Sequence, residues 1–299
     1  MAAKAPSRLK EGDTVLIIAT ARKVSRDEIA PAISILEAWG LRVEEGPSLY
    51  LSSDQFAGND DSRASDLQWA LDHPEAKAIL IGRGGYGTLR IIDKVNFGAF
   101  EKNPKWIVGF SDVTILQNHV HNLGFQSIHG TMPFIFSNNG NAVRSLRDLL
   151  FGKKVTYDVP LHPSNRAGAA TGELVGGNLS ILYALTGSAS ELDYKGKILF
   201  FEDLDEYLYH VDRMMLSLKR AGRFEKLAGV VVGGLSGMRD NSIPFGKTAE
   251  EIVSEHLLDY PFPVCFGFPA GHIEENIAFY HGAQARLTVG KNGTHIEFV

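Results

Sequence analysis

Trp106-Ile107-Val108-Gly109-Phe110-Ser111-Asp112-Val113-Thr114 puts a serine directly after a short apolar run and directly before helix-compatible sequence. A tight strand-to-helix turn of this kind exposes a serine hydroxyl at the end of a sheet, the arrangement called a nucleophile elbow. A serine held there lies near a helix N-terminus, whose unpaired backbone N–H groups can stabilise an oxyanion. The pattern departs from G-x-S-x-G at its last position, which is Val113. Ser111 also suits a helix N-cap, with Asp112 complementing the helix dipole. The chemistry at issue is acyl transfer through a serine, and the rest of the chain has to supply a base.

A second motif is Ile79-Leu80-Ile81-Gly82-Arg83-Gly84-Gly85-Tyr86-Gly87-Thr88, an apolar run that ends in four glycines within six residues. Glycine permits positive φ and lets a ligand approach backbone N–H groups closely. Such a loop suits a phosphate cradle or an oxyanion hole, and equally a tight turn between strand and helix. It lacks the Gly-Lys-Ser/Thr ending of a P-loop and only begins like the dinucleotide fingerprint.

Two further segments bear on the base. Ile198-Leu199-Phe200-Phe201 leads into Glu202-Asp203-Leu204-Asp205-Glu206, an apolar strand that delivers an acidic cluster at its carboxyl end. Ligands bind at that end in open α/β sheets. Asp203 and Asp205 suit an ordinary acidic helix start, whereas Glu202 follows the strand directly. Among ten histidines, His272 stands out in Phe268-Pro269-Ala270-Gly271-His272-Ile273, between a strand end and a turn. A histidine oriented by a carboxylate is the usual base for a serine, and the set would be Ser111, Glu202 and His272. No Cys/His cluster or H-E-x-x-H is present, so neither a catalytic metal nor a cofactor is expected.

The elements that must position these residues alternate. Strand patterns are read at 14–19, 41–44, 76–81, 105–108 and 127–129. Helices are read from Ser25 to Trp39, then at 60–71, 112–123 and 142–150. Gly40 and Gly124 read as stops. Alternation with short connections predicts a mostly parallel sheet flanked by helices. The segment 152–172 carries Pro160, Pro163, Gly168 and Gly172 without helical periodicity, and reads as a crossover with short strands. Beyond it, helices are read at 179–185, 207–221 and 248–258, and strands at 197–201, 228–232, 263–266, 284–289 and 294–298. The expectation is an α/β chain: an N-terminal domain over 1–155, a linker over 156–172, and a second α/β domain with a mixed sheet over 173–299.

The 299 residues are 44% hydrophobic and 22% charged, with a formal net charge of -5. That is ordinary globular composition, without the basic footprint of a nucleic-acid binder. One cysteine, Cys265, allows no internal disulfide and lies in an apolar run that reads as a buried, inert thiol. Met1 to Lys10 lacks the apolar core of a secretory signal, and no run is long enough to span a bilayer as a helix, so a cytoplasmic enzyme without a membrane partner is expected.

These residues together resemble the LD-carboxypeptidase family of serine peptidases, which includes muramoyltetrapeptide carboxypeptidases and microcin C immunity proteins. The matching segments are Leu9-Lys10-Glu11-Gly12-Asp13-Thr14-Val15, Arg83-Gly84-Gly85-Tyr86-Gly87 and Gly109-Phe110-Ser111-Asp112-Val113-Thr114. Gly176-Gly177-Asn178-Leu179, Phe201-Glu202-Asp203, Asp212-Arg213-Met214 and Gly271-His272 follow in the family's order. The resemblance implies a triad of Ser111, Glu202 and His272, and an oxyanion hole from the backbone N–H groups of Gly84, Gly85 and Asp112. It implies a small murein peptide as substrate, a terminal D-alanine as leaving group, and a homodimer. A D-amino-acid carboxylate needs a cationic or N–H-rich partner, for which Arg83 and Arg213 are candidates. The family's immunity proteins make a peptidyl or aminoacyl nucleotide the alternative substrate, and a non-catalytic ligand-binding module is the reading from a different class. The chain departs from the family at Ala19-Thr20-Ala21-Arg22, where many members have Ala-Pro-Ser, and around Thr131-Met132-Pro133.

Overall fold

Thr14–Ile18 forms β1, buried along its whole length. The computed structural model describes residues 2–138 and 140–299. After β1 the chain enters α1 (Arg26–Ala38) through a capping box, in which Ser25 accepts from the Glu28 N–H and the Glu28 carboxylate accepts from the Ser25 N–H. Then come β2 (Arg42–Glu45), α2 (Asp60–Asp72), β3 (Ala76–Ile81) and α3 (Gly98–Lys102). They are followed by β4 (Trp106–Gly109), α4 (Thr114–Asn122), β5 (Ser127–His129) and α5 (Gly140–Leu150). Gly40 and Gly124, at φ +81° and +90°, end α1 and α4 in the left-handed region that glycine occupies without steric cost.

All strand pairs among β1 to β5 are parallel, in the spatial order β2-β1-β3-β4-β5. The order reverses between β1 and β3. At such a reversal the loops leaving neighbouring strands diverge and open a crevice at the carboxyl ends. The loops concerned are Ala19–Arg22 after β1 and Gly82–Gly87 after β3. Ile17, Leu80 and Val108 lie fully buried in adjacent strands, as a sheet covered on both faces requires.

A second unit begins at Lys154. It contains β6 (Thr156–Val159), β7 (Gly168–Asn178), α6 (Leu179–Ala184), β8 (Ile198–Leu204), α7 (Leu208–Arg220) and β9 (Gly229–Ser236). Along the chain, α8 (Ala249–Leu257), β10 (Val264–Cys265), β12 (Gln284–Gly290) and β13 (Gly293–Phe298) of this unit follow, with β11 (Phe279–His281) between β10 and β12. The second sheet runs β10-β9-β8-β7-β12-β13-β6. Its β10-β9-β8-β7 half is parallel, and its β7-β12-β13-β6 half is antiparallel. Val175, Leu199, Phe201 and Val230 from the parallel half pack with Leu182, Met214 and Ile252 of the covering helices in one apolar core.

Two differences from the sequence reading have physical causes. Where a linker is expected over 156–172, the chain is already in the second sheet as β6 and the start of β7. The glycines of β7 read as loop residues, yet they are sites of close backbone approach. A Cβ on Gly172 would strike the Gly196 carbonyl, and one on Gly176 the Phe200 carbonyl. The other difference is β11, which the sequence reading omits. Residues 277–280, near the end of the chain, belong to the first unit, and β11 lies at the edge of the first sheet beside β5. Among the described residues no helix is long and apolar enough to cross a membrane.

Candidate active site

Ser111 sits where β4 turns into α4. Phe110 is still extended at φ -151°, and Ser111 flips to φ +64°. It opens one turn of 3-10 helix, Ser111–Val113, which runs into α4. A left-handed conformation is costly for a residue with a Cβ and persists where the surroundings impose it, commonly at functional sites. Here the surroundings are tight. A Cβ on Gly109 would lie 2.7 Å from Val113 Cγ2, so only glycine lets the strand end meet the turn so closely. Gln117 Nε2 donates to the carbonyls of Gly109 at 3.0 Å and Ile128 at 2.8 Å, tying α4 to the ends of β4 and β5. The cap positions fall on Phe110 and Val113. Ser111 therefore does not take the cap role that its sequence context allows.

The glycine loop after β3 lies against this turn. A Cβ on Gly84 would be 2.9 Å from Ser111 Cβ and 3.1 Å from its Oγ. Gly85 and Gly87 have φ +109° and +155°, conformations closed to most side chains. The Gly84 carbonyl accepts from the Arg22 N–H at 3.2 Å, and the Gly82 carbonyl from the Phe134 N–H at 3.2 Å. At the loop's end the Thr88 N–H donates to Asp112 Oδ2 at 2.8 Å. Glycine N–H groups beside a serine at a helix start are the materials of an oxyanion hole.

In the second unit, β8 carries Glu202 at 0% exposure. Its Oε2 accepts from His272 Nδ1 at 2.7 Å and from the His272 backbone N–H at 3.1 Å. Donation from Nδ1 makes Nε2 the basic nitrogen of the neutral ring. The turn that carries His272 is held from several sides. Gly271 N–H donates to Asn276 Oδ1 at 2.8 Å, and Ser236 Oγ donates to the His272 carbonyl at 2.6 Å. Gly271 stands at φ +109°, and a Cβ there would lie 2.6 Å from Glu202 Cβ. Burial presses the His272 pKa down, but the hydrogen bond and charge of Glu202, with the charge of Asp203, outweigh it and leave the pKa raised.

Asp203 differs from its sequence reading. It is 1% exposed and does not start the helix that follows it. Its carboxylate accepts from Ser180 N–H at 2.9 Å, in the first turn of α6, from Asn178 Nδ2 at 2.8 Å, and from Leu204 N–H at 2.9 Å. Burial, then the neighbouring Glu202 charge, push its pKa up to about 6. Asn178, quoted in the sequence only as part of a family segment, caps α6 and also donates to Glu202 Oε1 at 3.4 Å. An Asn before an apolar helical run is a recognisable cap signal; its second role depends on β7 and β8 lying side by side. Asp205 is exposed and pairs with Arg239 at 2.9 Å. Arg83 pairs with Glu28 at 3.3 Å and stacks over Phe134, and exposed Arg213 stacks over Tyr209. Cys265 is fully buried, and burial pushes its thiol up to about 11, far from reactive. Among the described residues no group of three or more His, Cys, Asp or Glu side chains could hold a metal ion.

A strained serine and a carboxylate-anchored histidine are parts of a serine hydrolase. The chain belongs to the LD-carboxypeptidase family: residues 15–130 match its N-terminal domain and residues 171–287 its C-terminal domain. It is a serine-type carboxypeptidase. It is 34% identical over 305 residues to the probable murein peptide carboxypeptidase of Bacillus subtilis, covering 98% of this chain and 94% of the relative. Among solved structures it is similar to muramoyltetrapeptide carboxypeptidase from Oxalobacter formigenes, with TM-score 0.87 and 26% identity over 95% of this chain and 98% of that one. The microcin C7 self-immunity protein MccF has TM-score 0.87 at 20% identity, covering 99% and 98% of the two chains, a likeness that shows the fold alone.

Proposed function

We propose that this enzyme removes the terminal D-alanine from murein tetrapeptides by a Ser111–Glu202–His272 triad. The observation that carries the reading is Ser111 at φ +64° between β4 and α4. It is supported by the Glu202–His272 hydrogen bond at 2.7 Å and by relatives named for murein peptides. In the proposed reaction Ser111 Oγ attacks the carbonyl carbon before the terminal D-alanine, and His272 Nε2 takes its proton. The N–H groups of Gly84, Gly85 and Asp112 hold the oxyanion. His272 then protonates the departing amine. Water, deprotonated by His272, opens the acyl-enzyme and returns the proton to Ser111. Arg83 and Arg213 are candidate partners for the substrate carboxylate. A cytoplasmic role in cell-wall recycling and a homodimeric assembly belong to the same proposal.

The test is mass spectrometry after incubation with L-Ala-γ-D-Glu-meso-diaminopimelyl-D-Ala, beside a Ser111→Ala variant. Loss of one alanine by wild type only is expected. Turnover of an aminoacyl nucleotide without turnover of the tetrapeptide would replace the substrate. Residues that act as one unit are non-additive when removed together. A Ser111→Ala/His272→Ala double variant should therefore be no worse than either single one; additive losses would separate the two residues.

A further inference from the structure

We propose that the Asp112 side chain is a positioning residue that holds the glycine loop 82–87 in register with Ser111. The proposal rests on the functional reading above, because it gives the loop a reason to be held. A loop with glycines at 82, 84, 85 and 87 has wide backbone freedom. An oxyanion donor stabilises a transition state only if it is already aimed when charge develops. The loop must therefore be anchored. Its backbone is held by Gly82 N–H to the Ile18 carbonyl, Arg22 N–H to the Gly84 carbonyl and Phe134 N–H to the Gly82 carbonyl. At its end the Thr88 N–H donates to Asp112 Oδ2 at 2.8 Å. This last anchor is made by the side chain of the residue after Ser111.

The surroundings of Asp112 fit this role. The residue is 1% exposed, and a carboxylate is an expensive acceptor to bury. Burial, the largest influence, pushes its pKa up against the hydrogen bonds it accepts and the weaker pull of the Arg63 charge, and Arg63, itself 1% exposed, pairs with Asp60. Arg63 Nη1 donates to the Thr20 carbonyl at 2.8 Å, and the Thr20 and Thr88 hydroxyls share a hydrogen bond of 2.8 Å. Arg63 also lies directly under the loop, where a Cβ on Gly87 would strike Nη1. Thr20, just after β1, and Thr88, at the end of the glycine loop that leaves β3, are thus linked through their hydroxyls and tied to the nucleophile turn through the Thr88 N–H on Asp112.

The experiment compares Asp112→Asn and Asp112→Ala with wild type and Ser111→Ala on the same tetrapeptide. Asp112→Ala is expected to lower kcat by at least about 10-fold, toward the ~10²-fold that losing one oxyanion donor costs, with KM nearly unchanged. Asp112→Asn, which keeps an acceptor, should fall between. Amide hydrogen exchange of residues 82–88, without substrate, should speed up in Asp112→Asn while α4 stays protected. That readout applies even if Asp112→Ala fails to fold. A dead Ser111→Ala beside an Asp112→Ala with normal kcat, or unchanged exchange in the loop, overturns the positioning role. An active Ser111→Ala overturns the functional reading instead.

Discussion

Glu202 Oε2 receives both polar hydrogens that His272 presents on one side, the Nδ1–H at 2.7 Å and the backbone N–H at 3.1 Å. Backbone and ring are clamped to one oxygen atom, so the imidazole cannot rotate without losing a charge-assisted bond. Because Glu202 is fully buried, little water competes for that oxygen.

The clamp sets a pH dependence. A general base, the role proposed for His272, must be neutral, and the His272 pKa is raised above the ordinary 6.5. The acidic limb of kcat/KM is therefore expected above pH 6.5, not below it. Glu202→Gln removes the charge that raises it, so the limb should move to lower pH while kcat falls by at least about 10²-fold. A limb that stays in place in Glu202→Gln would detach this histidine from the rate.

Asp205→Asn is the contrasting substitution. Asp205 lies three residues further on, and its partner Arg239 is half exposed. An exposed pair contributes about 0–1 kcal/mol. Activity within about 2-fold of wild type is expected, since so small a term leaves the buried dyad alone. A larger loss than in Glu202→Gln would move the acid of the proposed triad.

Ser111 carries a conformational cost that its substitutions expose. Ser111→Ala should abolish turnover and keep the cost of φ +64°. Ser111→Gly should be equally inactive but more stable than Ser111→Ala by about 1 kcal/mol, the steric penalty of a Cβ in the left-handed region. Urea denaturation of the two inactive variants measures the difference, and equal stabilities would argue against a strained elbow.

Gly84→Ala tests the close approach of loop and serine. The new methyl would sit 2.9 Å from Ser111 Cβ, so one of the two must move by a few tenths of an ångström. A loss in kcat of about 10²-fold is expected from such misplacement, with the melting temperature changed far less. Unimpaired steady-state kinetics would show that the loop has slack at this point.

Asp203 gives a stability signature. Its ordinary pKa of 3.8 is pushed up to about 6 in the folded chain. Between those values the folded state keeps a proton that the unfolded state has lost, so this group's contribution falls as pH rises through the window. Relative to Asp203→Asn, wild type should lose about 2 kcal/mol of stability between pH 4 and pH 7. A difference that does not vary with pH would mean that Asp203 ionises normally.

Much of this molecule is legible from its residues because the signals are local. Ser25 with Glu28, and Thr248 with Glu251, make capping boxes that fix helix starts within a residue. The apolar runs 76–81 and 127–129 are strands over those same residues. Ser111, Glu202 and His272 stand out because each closes an apolar strand or its following turn, where a side chain can be aimed. The segments that misled are those whose signal is spatial. The small residues of β7 have no apolar alternation, and they are glycine because another backbone passes close by. Phe279–His281 is too short to read as a strand alone, and it takes its place at the edge of the first sheet.

The sequence by itself determined the alternation of strands and helices, the chemistry of a serine nucleophile, and the family to which its ordered motifs point. Those depend on residue type, spacing and order along the chain, which need no folding to be read. Only the tertiary structure decided that Ser111 lies in the left-handed region against Gly84, that Glu202 clamps His272 twice, and that Asp112 and Asp203 are buried acceptors instead of solvated helix caps. These properties come from the packing of residues distant in sequence, such as Thr88 with Asp112 and Asn178 with Asp203. Burial and hydrogen-bond partners, not residue type, give each carboxylate its role.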